Sequence, residues 1–401
     1  MAIPCAVWWW KNAKWWRWWK LLIVNTLKDI VNSNDSFLSL REALTVEKWP
    51  KIIVFEVWWV FDMSRNSVEI SWSSNWYMTV ACQTAPSPWV IIKTSRFNMS
   101  KVSDIVMTHC VHRNTDGAEN GRWIWIWQGA EDILIDHASV SWASDENFQI
   151  YQWNYNPTKP IQNITLSNSI ISEWDADSSH PLSKQRPDLI YHSMWPSCNS
   201  NTSNGINPKG ISITSNYIAH NSKRNGAFYS CEWESSNNII YNWWIQWTDI
   251  YSWAWETKVE VKNNLLKAWN STKNGWLWLC GWKYRCAYMI GPNDINIDIK
   301  DNYYIEKNQN LSSAQRMTNH PNIVKAKNNI NFPWSTKEDH SILKLAAKNS
   351  WHMRCIWASK PVRDEIDERV INEFYNGTWA VGIFDNEKWS SHNSRTQRDY
   401  S

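Results

Sequence analysis

The sequence predicts an all-β protein, a single-stranded, right-handed parallel β-helix (a solenoid) with short capping helices at its ends. The first observation is a local pattern in which apolar residues alternate with other residues, meet a polar residue, and then resume. The second is that this pattern recurs at unequal intervals, which is typical of a solenoid whose coils carry loops of different length. The copies begin at Ile105, Ile133, Ile164, Ile211, Val259 and Ile297, with a weaker copy at Trp233.

The polar residue of each copy predicts a corner between two strands. Asn168 and Asn263 occupy that place in two of the copies. Asn tolerates the left-handed backbone conformation and can form hydrogen bonds with its neighbours in a stack. A β-sandwich is the competing architecture, but its strands recur at shorter intervals. The spacing therefore favours the β-helix.

Few helices are expected. Residues 39–44 predict a short N-terminal helix, and residues 335–349 and 363–376 predict amphipathic helices near the C-terminus. Such helices would cover the open ends of a solenoid, where a sheet edge and the core are exposed. We interpret residues 1–330 as the β-helix domain and residues 331–401 as a C-terminal capping segment of the same domain.

Charge and cysteine content narrow the classes of function. A net charge of +3 without a basic stripe argues against nucleic acid binding, and no apolar run is long enough for a membrane span. The eight cysteines include no CxxC pair, so a zinc site is not expected. Their spacing leaves disulfides and the redox compartment open. No signal peptide is visible.

Tryptophan is abnormally frequent and glycine abnormally rare, with 35 Trp and 11 Gly. Several Trp stand at turns, such as Trp76 after Asn75, where the backbone usually requires the freedom of glycine. An aromatic platform for sugar rings is one interpretation. We favour another, in which many of these Trp are glycines encoded by UGA codons. Others, such as Trp142, are expected to be genuine.

Six groups of short motifs occur along the chain in a fixed order. They are WWRWWK at 15–20, SLREAL at 39–44, IIVFEV at 52–57, CQTAP at 82–86, IDH at 135–137 with SWASDE at 141–146, and RD at 363–364 with NGTW at 376–379. Together they resemble the pectate lyases of polysaccharide lyase family 1, whose first motif has glycines in place of the tryptophans. The resemblance runs from residue 3 to about residue 379.

The resemblance implies a secreted, calcium-dependent lyase that cleaves an acidic polysaccharide, pectate, by β-elimination. Such an enzyme removes the weakly acidic proton at C5 of a uronate and expels the 4-linked oxygen. Calcium (Ca2+) binds carboxylate, carbonyl and water oxygens, and it would stabilise the charge that develops on the substrate. The chain is expected to act as a monomer, with neither nucleic acid nor a membrane as a partner.

Asp145 and Glu146 match the metal-binding part of the family pattern and are the candidate calcium ligands. The alternative is a solvated acidic corner. The chain departs from the family at two positions. Arg122 stands where the family has an Asp, and Gln149 replaces a second carboxylate and offers only a carbonyl oxygen.

Arg224 resembles the catalytic Arg of the family and is the candidate base for the C5 proton, although Gly226 stands where the family has Pro. The pKa of Arg lies above ~12, so an alkaline optimum would follow. Lys184 is the second catalytic candidate and would bind a substrate carboxylate, and His180 is a further substrate-binding candidate. The alternative for Arg224 is a surface Arg paired with a carboxylate.

Asp136 and His137 look diagnostic but are predicted to be structural, because a buried Asp–His pair at a corner more often satisfies neighbouring polar groups. Two other functions stay open. One is a lyase that acts on another uronate polymer. The other is a non-catalytic β-helix that binds glycans, as an adhesin or phage-spike domain would. A lyase forms an unsaturated product that absorbs in the near ultraviolet, which distinguishes it from a binding protein.

Overall fold

The structure is a computed structural model. It describes residues 19–31, 36–48, 50–63, 66–71, 77–86, 90–94, 96–114, 124–143, 146–152, 157–173, 197–221, 226–243, 248–251, 257–268, 288–290, 295–300, 302–305, 312–313 and 365–376.

The described strands form three sheets. Sheet 1 contains β1 (Lys20–Val24), β2 (Lys51–Phe55), β5 (Met78–Ala81), β8 (Ser103–Thr108), β11 (Glu131–Asp136), β14 (Gln162–Ser167), β17 (Lys209–Thr214), β20 (Glu232–Ser236), β23 (Thr257–Lys262) and β26 (Ile295–Lys300). Sheet 2 contains β3 (Trp59–Asp62), β6 (Val90–Thr94), β9 (Val111–Asn114), β12 (Ser139–Ser141), β15 (Ile170–Ser172), β18 (Tyr217–Ala219), β21 (Ile239–Tyr241), β24 (Leu265–Lys267), β27 (Tyr303–Ile305) and β28 (Ser312–Ser313). Sheet 3 contains β4 (Val68–Ser71), β7 (Phe97–Ser100), β10 (Ile124–Trp127), β13 (Phe148–Gln152), β16 (Ser197–Ser200), β19 (Ala227–Tyr229), β22 (Thr248–Tyr251) and β25 (Tyr288–Ile290).

From β2 to β27, the described strands pass through sheets 1, 2 and 3 in turn, and each pairs with its counterpart in the neighbouring coil. In sheet 1, Ile133 lies opposite Ile105 on one side and Ile164 on the other. The residues that begin the sequence repeats therefore stack in one row. Among the described strands only β27 and β28 pair antiparallel. The predicted parallel β-helix is confirmed, and the β-sandwich is excluded. Crossovers between parallel strands of one sheet are almost always right-handed.

The core lies inside the coils because alternate residues of each strand point inward. Ile133 and Ile135 of β11, Val140 of β12 and Ile150 of β13 are buried and belong to one apolar cluster. Burial of one such side chain contributes about 1.5–3 kcal/mol. The alternation that predicted half-buried strands thus also identifies which side of each strand faces the core.

The corner between sheets 1 and 2 places one residue with positive φ in each of several coils. The φ angle is 53° at His137, 50° at Asn168 and 55° at Asn263. These are the polar residues that ended the apolar alternation in the sequence. The predicted left-handed corner is therefore confirmed at these positions.

The stacking hydrogen bonds expected of the corner residue belong mainly to the residue that follows it. Asn216 Nδ2 donates to Asn238 Oδ1 at 3.1 Å, and Asn238 Nδ2 donates to Asn264 Oδ1 at 3.0 Å. Asn264 Nδ2 continues the series to Asn302 Oδ1 at 2.9 Å. These four residues, which we call the Asn ladder, are buried. Sequence reasoning assigned both the left-handed backbone and the stacking hydrogen bonds to one corner residue. In the structure the first residue of the corner has the positive φ, and the second makes the ladder of hydrogen bonds.

The short N-terminal helix is confirmed as α1 (Leu40–Thr45). Ser39 is its N-cap, and the Ser39 hydroxyl accepts a hydrogen bond from the backbone N–H of Glu42. At the other end of α1, the buried Lys51 Nζ donates to the carbonyl oxygens of Ala43 at 2.7 Å and Leu44 at 3.2 Å. A lysine from sheet 1 thus satisfies carbonyls that a helix C-terminus leaves without partners.

The C-terminal helix expected at 363–376 is present as α2 (Glu365–Asn376). Its apolar side packs on the outer face of sheet 2, where Phe374 contacts the rings of Tyr217 and Tyr241. The described contacts of α2 are thus lateral, against the side of the coils. The helix predicted at residues 335–349 lies outside the described residues.

Charged residues fasten α2 to the coils. Arg369 Nη2 lies 2.7 Å from both carboxylate oxygens of Glu173, and Arg113 Nη2 lies 3.3 Å from Asp367 Oδ1. Arg113, Glu173 and Asp367 are buried. Pairing of this kind is required when charges leave water.

Two disulfides join neighbouring coils, Cys82–Cys110 and Cys198–Cys231. The cysteine spacing in the sequence did not decide whether disulfides form. The structure shows that these four cysteines form two disulfides. None of the described helices has the length and apolar character needed to span a membrane.

Candidate functional site

Most of the residues assigned to the site from sequence lie outside the described residues. These are Asp145, His180, Lys184 and Arg224, together with Arg122 at one of the two departures. Glu146 and Gln149 are described. Glu146 lies just before β13, and Gln149 lies within this strand. The structure therefore locates one of the two proposed calcium ligands and leaves the roles of the others as proposals.

Glu146 lies immediately before β13 and is only 3% exposed. A carboxylate removed from water requires a cation or hydrogen-bond donors to remain charged. A solvated acidic corner, the alternative stated for the Asp145–Glu146 pair, would leave the side chain in water. The burial of Glu146 argues against that alternative for this residue.

Gln149 supplies an oxygen that the described residues do not satisfy. Its neighbours Phe148 and Ile150 are in the core, so Gln149 faces outward from sheet 3. The side chain is nevertheless buried, and its Oε1 has no hydrogen-bond partner among the described residues. Buried polar atoms are normally paired, and an amide oxygen is a suitable ligand for calcium.

These observations fit a calcium ion in the chemistry of the donors, a buried carboxylate and an amide oxygen in one short segment. Within the described ranges, no group of three or more His, Cys, Asp and Glu side chains is placed to hold a metal. A full set of ligands would therefore need further oxygens, from Asp145, water or the substrate.

The outer face of sheet 3 carries polar and aromatic side chains around Gln149. In register with it are Trp125 on β10 and Ser197 on β16, and Asn98 on β7 lies opposite Trp125. The side-chain oxygen of Asn98 also lacks a described hydrogen-bond partner.

A second row runs beside the first, with Trp127, Tyr151, Asn199 and Tyr229 opposite one another. Asn199 Oδ1 again has no described hydrogen-bond partner. An amide oxygen can accept a hydrogen bond from a sugar hydroxyl, and an aromatic ring can pack on the apolar face of a sugar ring. Sequence reasoning missed these residues. The signal that could have found them is the alternation of apolar residues with Asn and Ser over 97–100 and of Ile with Trp over 124–127.

Asp136 and His137 lie at the corner between sheets 1 and 2, away from the outer face of sheet 3. His137 Nδ1 is 2.6 Å from Asp136 Oδ2, while Ser167 and Asn168 both donate to Asp136 Oδ1. Burial opposes ionisation of Asp136, but the hydrogen bonds from these neighbours hold its pKa below the usual value. All these partners are structural neighbours in the same coil or the next, which supports the predicted structural role.

A second histidine is stacked on the first at this corner. The rings of His109 and His137 are parallel within 13°, with centroids 4.6 Å apart. Burial, assisted by the charge of His137, lowers the pKa of His109 to about 3. His109 is therefore neutral at physiological pH, which allows the two rings to stack without repulsion.

The resemblance indicated by the motifs is confirmed by comparison with known proteins. A probable pectate lyase C of Aspergillus flavus is 26% identical to this chain over 215 residues, which is 53% of this chain and 43% of that protein. A probable pectate lyase C of Emericella nidulans is 27% identical over 206 residues, 51% of this chain and 40% of that protein. The chain thus matches less than half the length of these curated relatives. No protein-family model matches the chain.

Solved structures similar to this fold include the pectate lyase from Paenibacillus sp. 0602. It is 11% identical, with a TM-score of 0.42, over 67% of this chain and 72% of that one. The structure of Jun a 1, the major allergen from cedar pollen, is 14% identical, with a TM-score of 0.44, over 82% and 88% of the two chains.

Proposed function

We propose that the protein is a polysaccharide lyase that cleaves polygalacturonate or pectate by calcium-assisted β-elimination. The observation that carries the proposal is the similarity, over about half the chain, to relatives named probable pectate lyase C. The order of the six groups of motifs supports it, as do the buried Glu146 and the unsatisfied oxygen of Gln149 in the segment where the motifs predict a metal.

The calcium ion would be held by Asp145 and Glu146, with Gln149 adding a neutral oxygen. When bound, it would supply positive charge beside the uronate carboxylate and thereby make the C5 proton more acidic. Because Arg122 and Gln149 stand at two positions where the family has carboxylates, the site has two carboxylates fewer than the family pattern. We therefore expect weaker calcium binding than a site with carboxylates at both positions would have.

Arg224 would accept the C5 proton, and Lys184 would hold a substrate carboxylate beside it. An Arg is normally protonated because its pKa lies above ~12, so nearby positive charge must favour its neutral form. Activity should then increase toward alkaline pH. His180 would contribute a hydrogen bond to the substrate. Trp125, Trp127 and Tyr151, which are partly exposed on the outer face of sheet 3, would contact the rings of the sugar chain.

An extracellular location is part of the proposal. The two disulfides of the described residues support it, because disulfides persist in oxidising compartments and are rare in reducing ones. We further propose that the protein acts as a monomer on an acidic polysaccharide.

The test is release of unsaturated product from polygalacturonate, measured as near-ultraviolet absorbance, with calcium and with excess chelator. We expect activity with calcium and loss of activity with chelator. Asp145→Ala should raise the calcium concentration required for half-maximal activity while leaving the melting temperature nearly unchanged. Full activity in chelator would contradict the role of calcium and of Asp145.

Arg224→Ala and Arg224→Lys test the base. General-base catalysis is typically worth about 10²–10⁴-fold, so kcat should fall by that range while substrate affinity is retained. Lys keeps the charge but loses the planar fork, so it should also be impaired. The matched control is Lys93→Ala, which removes a cation from the surface pair with Asp62 and should keep full activity. Near-normal kcat in the Arg224 variants would remove Arg224 from the mechanism.

The alternative functions are decided by the same assays. Product from another uronate polymer, but not from polygalacturonate, would assign the other substrate class. Binding of polygalacturonate with no product under any condition would favour the non-catalytic glycan-binding β-helix.

A further inference from the structure

Two buried asparagines close to the proposed site are joined across two coils that have one further coil between them. Asn147 Nδ2 donates to Asn221 Oδ1 at 3.4 Å, and both side chains are fully buried. The residues are 74 positions apart in the chain. We call this contact the Asn147–Asn221 bridge.

Each end of the bridge is anchored to the backbone. The backbone N–H of Ala143 donates to Asn147 Oδ1 at 3.1 Å, and Asn221 Nδ2 donates to the carbonyl oxygen of Ile171 at 3.2 Å. The result is a directed series of three hydrogen bonds through three successive coils. Ala143 follows β12, Ile171 lies in β15, and Asn221 follows β18.

The bridge lies beside both parts of the proposed machinery in the chain. Asn147 comes directly after Glu146 and two residues after Asp145, and Asn221 comes three residues before Arg224. Consecutive Cα atoms are about 3.8 Å apart. Along the chain, the proposed calcium ligands and the proposed base thus lie within three residues of one end or the other of this buried contact.

The position of a base relative to a metal-bound substrate strongly affects the rate, since a displacement of ~1 Å can lower it by about 100-fold. A buried hydrogen bond is suited to holding such a distance, because no water is available to replace it. The Asn ladder makes similar buried amide contacts at a different corner, between sheets 1 and 2. The ladder therefore provides a control for purely structural asparagines.

We propose that Asn147 and Asn221 are positioning residues, which hold the segment of Asp145 and Glu146 at a fixed distance from the segment of Arg224. This inference rests on the proposed lyase function and adds to it a pair of residues that touch neither substrate nor metal. Its consequence is that the two asparagines act as one unit on kcat.

The experiment compares Asn147→Ala, Asn221→Ala and the double variant with the ladder variant Asn238→Ala, in the full chain. The measurements are kcat and KM on polygalacturonate, the melting temperature, and the shift in melting temperature caused by calcium alone. All variants should lower the melting temperature, because each loses buried hydrogen bonds. Assays are performed well below every melting temperature.

We expect kcat to fall by at least about 10-fold in both single variants, a fraction of the loss that a ~1 Å displacement can cause. KM should change less than threefold, and the double variant should be no worse than the poorer single one. Asn238→Ala should keep kcat. The calcium-induced shift should decrease in Asn147→Ala, which loses the anchor to Ala143, and should persist in Asn221→Ala.

The possible failures are distinguishable. An inactive parent chain would overturn the proposed function and this inference together. An active parent whose Asn147 and Asn221 variants keep kcat, as Asn238→Ala does, would overturn the positioning role alone. Multiplicative losses in the double variant would show that the two residues act independently and would also overturn it.

Discussion

At the scale of single residues, the φ angle taken together with side-chain contacts distinguishes a tryptophan that fits its position, Trp142, from one that does not, Trp59. Trp59 has a φ of 120°, a region that side chains with a Cβ rarely occupy. Trp142 also has a positive φ, 71°, but its ring is buried and its Nε1 donates to Glu173 at 3.1 Å. These features support the interpretation that some tryptophans, but not Trp142, stand at glycine positions.

Trp59→Gly is expected to stabilise the protein. Relief of a strained φ is worth about 1–3 kcal/mol, so the free energy of unfolding should increase by roughly that amount. Trp142→Gly is the matched control and should destabilise, because it removes a buried ring and a hydrogen bond to Glu173. Urea denaturation of both variants measures the difference. A decrease for Trp59→Gly, or a UGG codon at position 59 in the gene, would contradict the glycine interpretation there.

Lys51 gives a second prediction at this scale, in the pH dependence of stability. Burial lowers its pKa to about 8, and the charge of Glu47 only partly opposes this. In the unfolded chain the pKa is about 10.4, so the unfolded state binds more protons between these values. The free energy of unfolding should therefore increase as pH rises from about 8 to about 10, by up to roughly 3 kcal/mol.

The measurement is urea denaturation at pH 8 and pH 10 of the wild type, Lys51→Met and Lys93→Met. Lys93 is a partly exposed lysine of sheet 2, so its variant should keep the increase. Lys51→Met should lose it. An equal pH dependence in all three proteins would show that Lys51 does not titrate in this range.

At the scale of elements, the Asn ladder stabilises the stacking of coils through side chains. Asn238 Oδ1 accepts from the backbone N–H of Asn216 at 2.9 Å, while its Nδ2 donates to the carbonyl oxygen of Ile213 at 3.0 Å. Each ladder residue thus satisfies backbone groups that a two-residue corner leaves without partners.

Asn238→Ala should lower the free energy of unfolding by about 2–4 kcal/mol, since several buried groups lose their partners at once. Asn237→Gly, one residue earlier, is the control. Asn237 is exposed and already has a φ of 57°, which glycine adopts freely. Chemical denaturation should show little change for this control. If the two variants destabilised equally, the ladder would contribute no more than an exposed corner residue.

At the scale of the whole molecule, disulfides join coils that already stack. The bonds Cys82–Cys110 and Cys198–Cys231 close loops with sequence separations of 28 and 33 residues. Loops of this length are expected to contribute about 3–4 kcal/mol each, through the entropy of the unfolded chain.

Replacement of both Cys82 and Cys110 by Ala should therefore lower the free energy of unfolding by about that amount without changing the fold. Thermal and urea denaturation measure the loss, and circular dichroism checks that the β-structure is retained. The same treatment of Cys198 and Cys231 provides the comparison. A wild type whose stability is unaffected by complete reduction would contradict the prediction.

The sequence by itself determined the architecture of this protein, because the features that specify a β-helix are local. Alternation with a period of two places Ile133 and Ile135 inside, and the polar residue after them marks the corner. The N-cap at Ser39 and the apolar spacing of α2 are likewise contained in a few consecutive residues. The motifs added the resemblance, and with it the candidate residues Asp145, Glu146, Lys184 and Arg224.

Only the tertiary structure decided which distant residues meet. The pairing of Cys198 with Cys231, the packing of α2 on sheet 2 and the contact of Asn147 with Asn221 all join residues far apart in the chain. The same is true of the stacking role of Asn238, which belongs to the residue after the corner. Such contacts depend on how the coils align and on the lengths of the loops between them. A local sequence pattern specifies neither the alignment of the coils nor which loop residues meet.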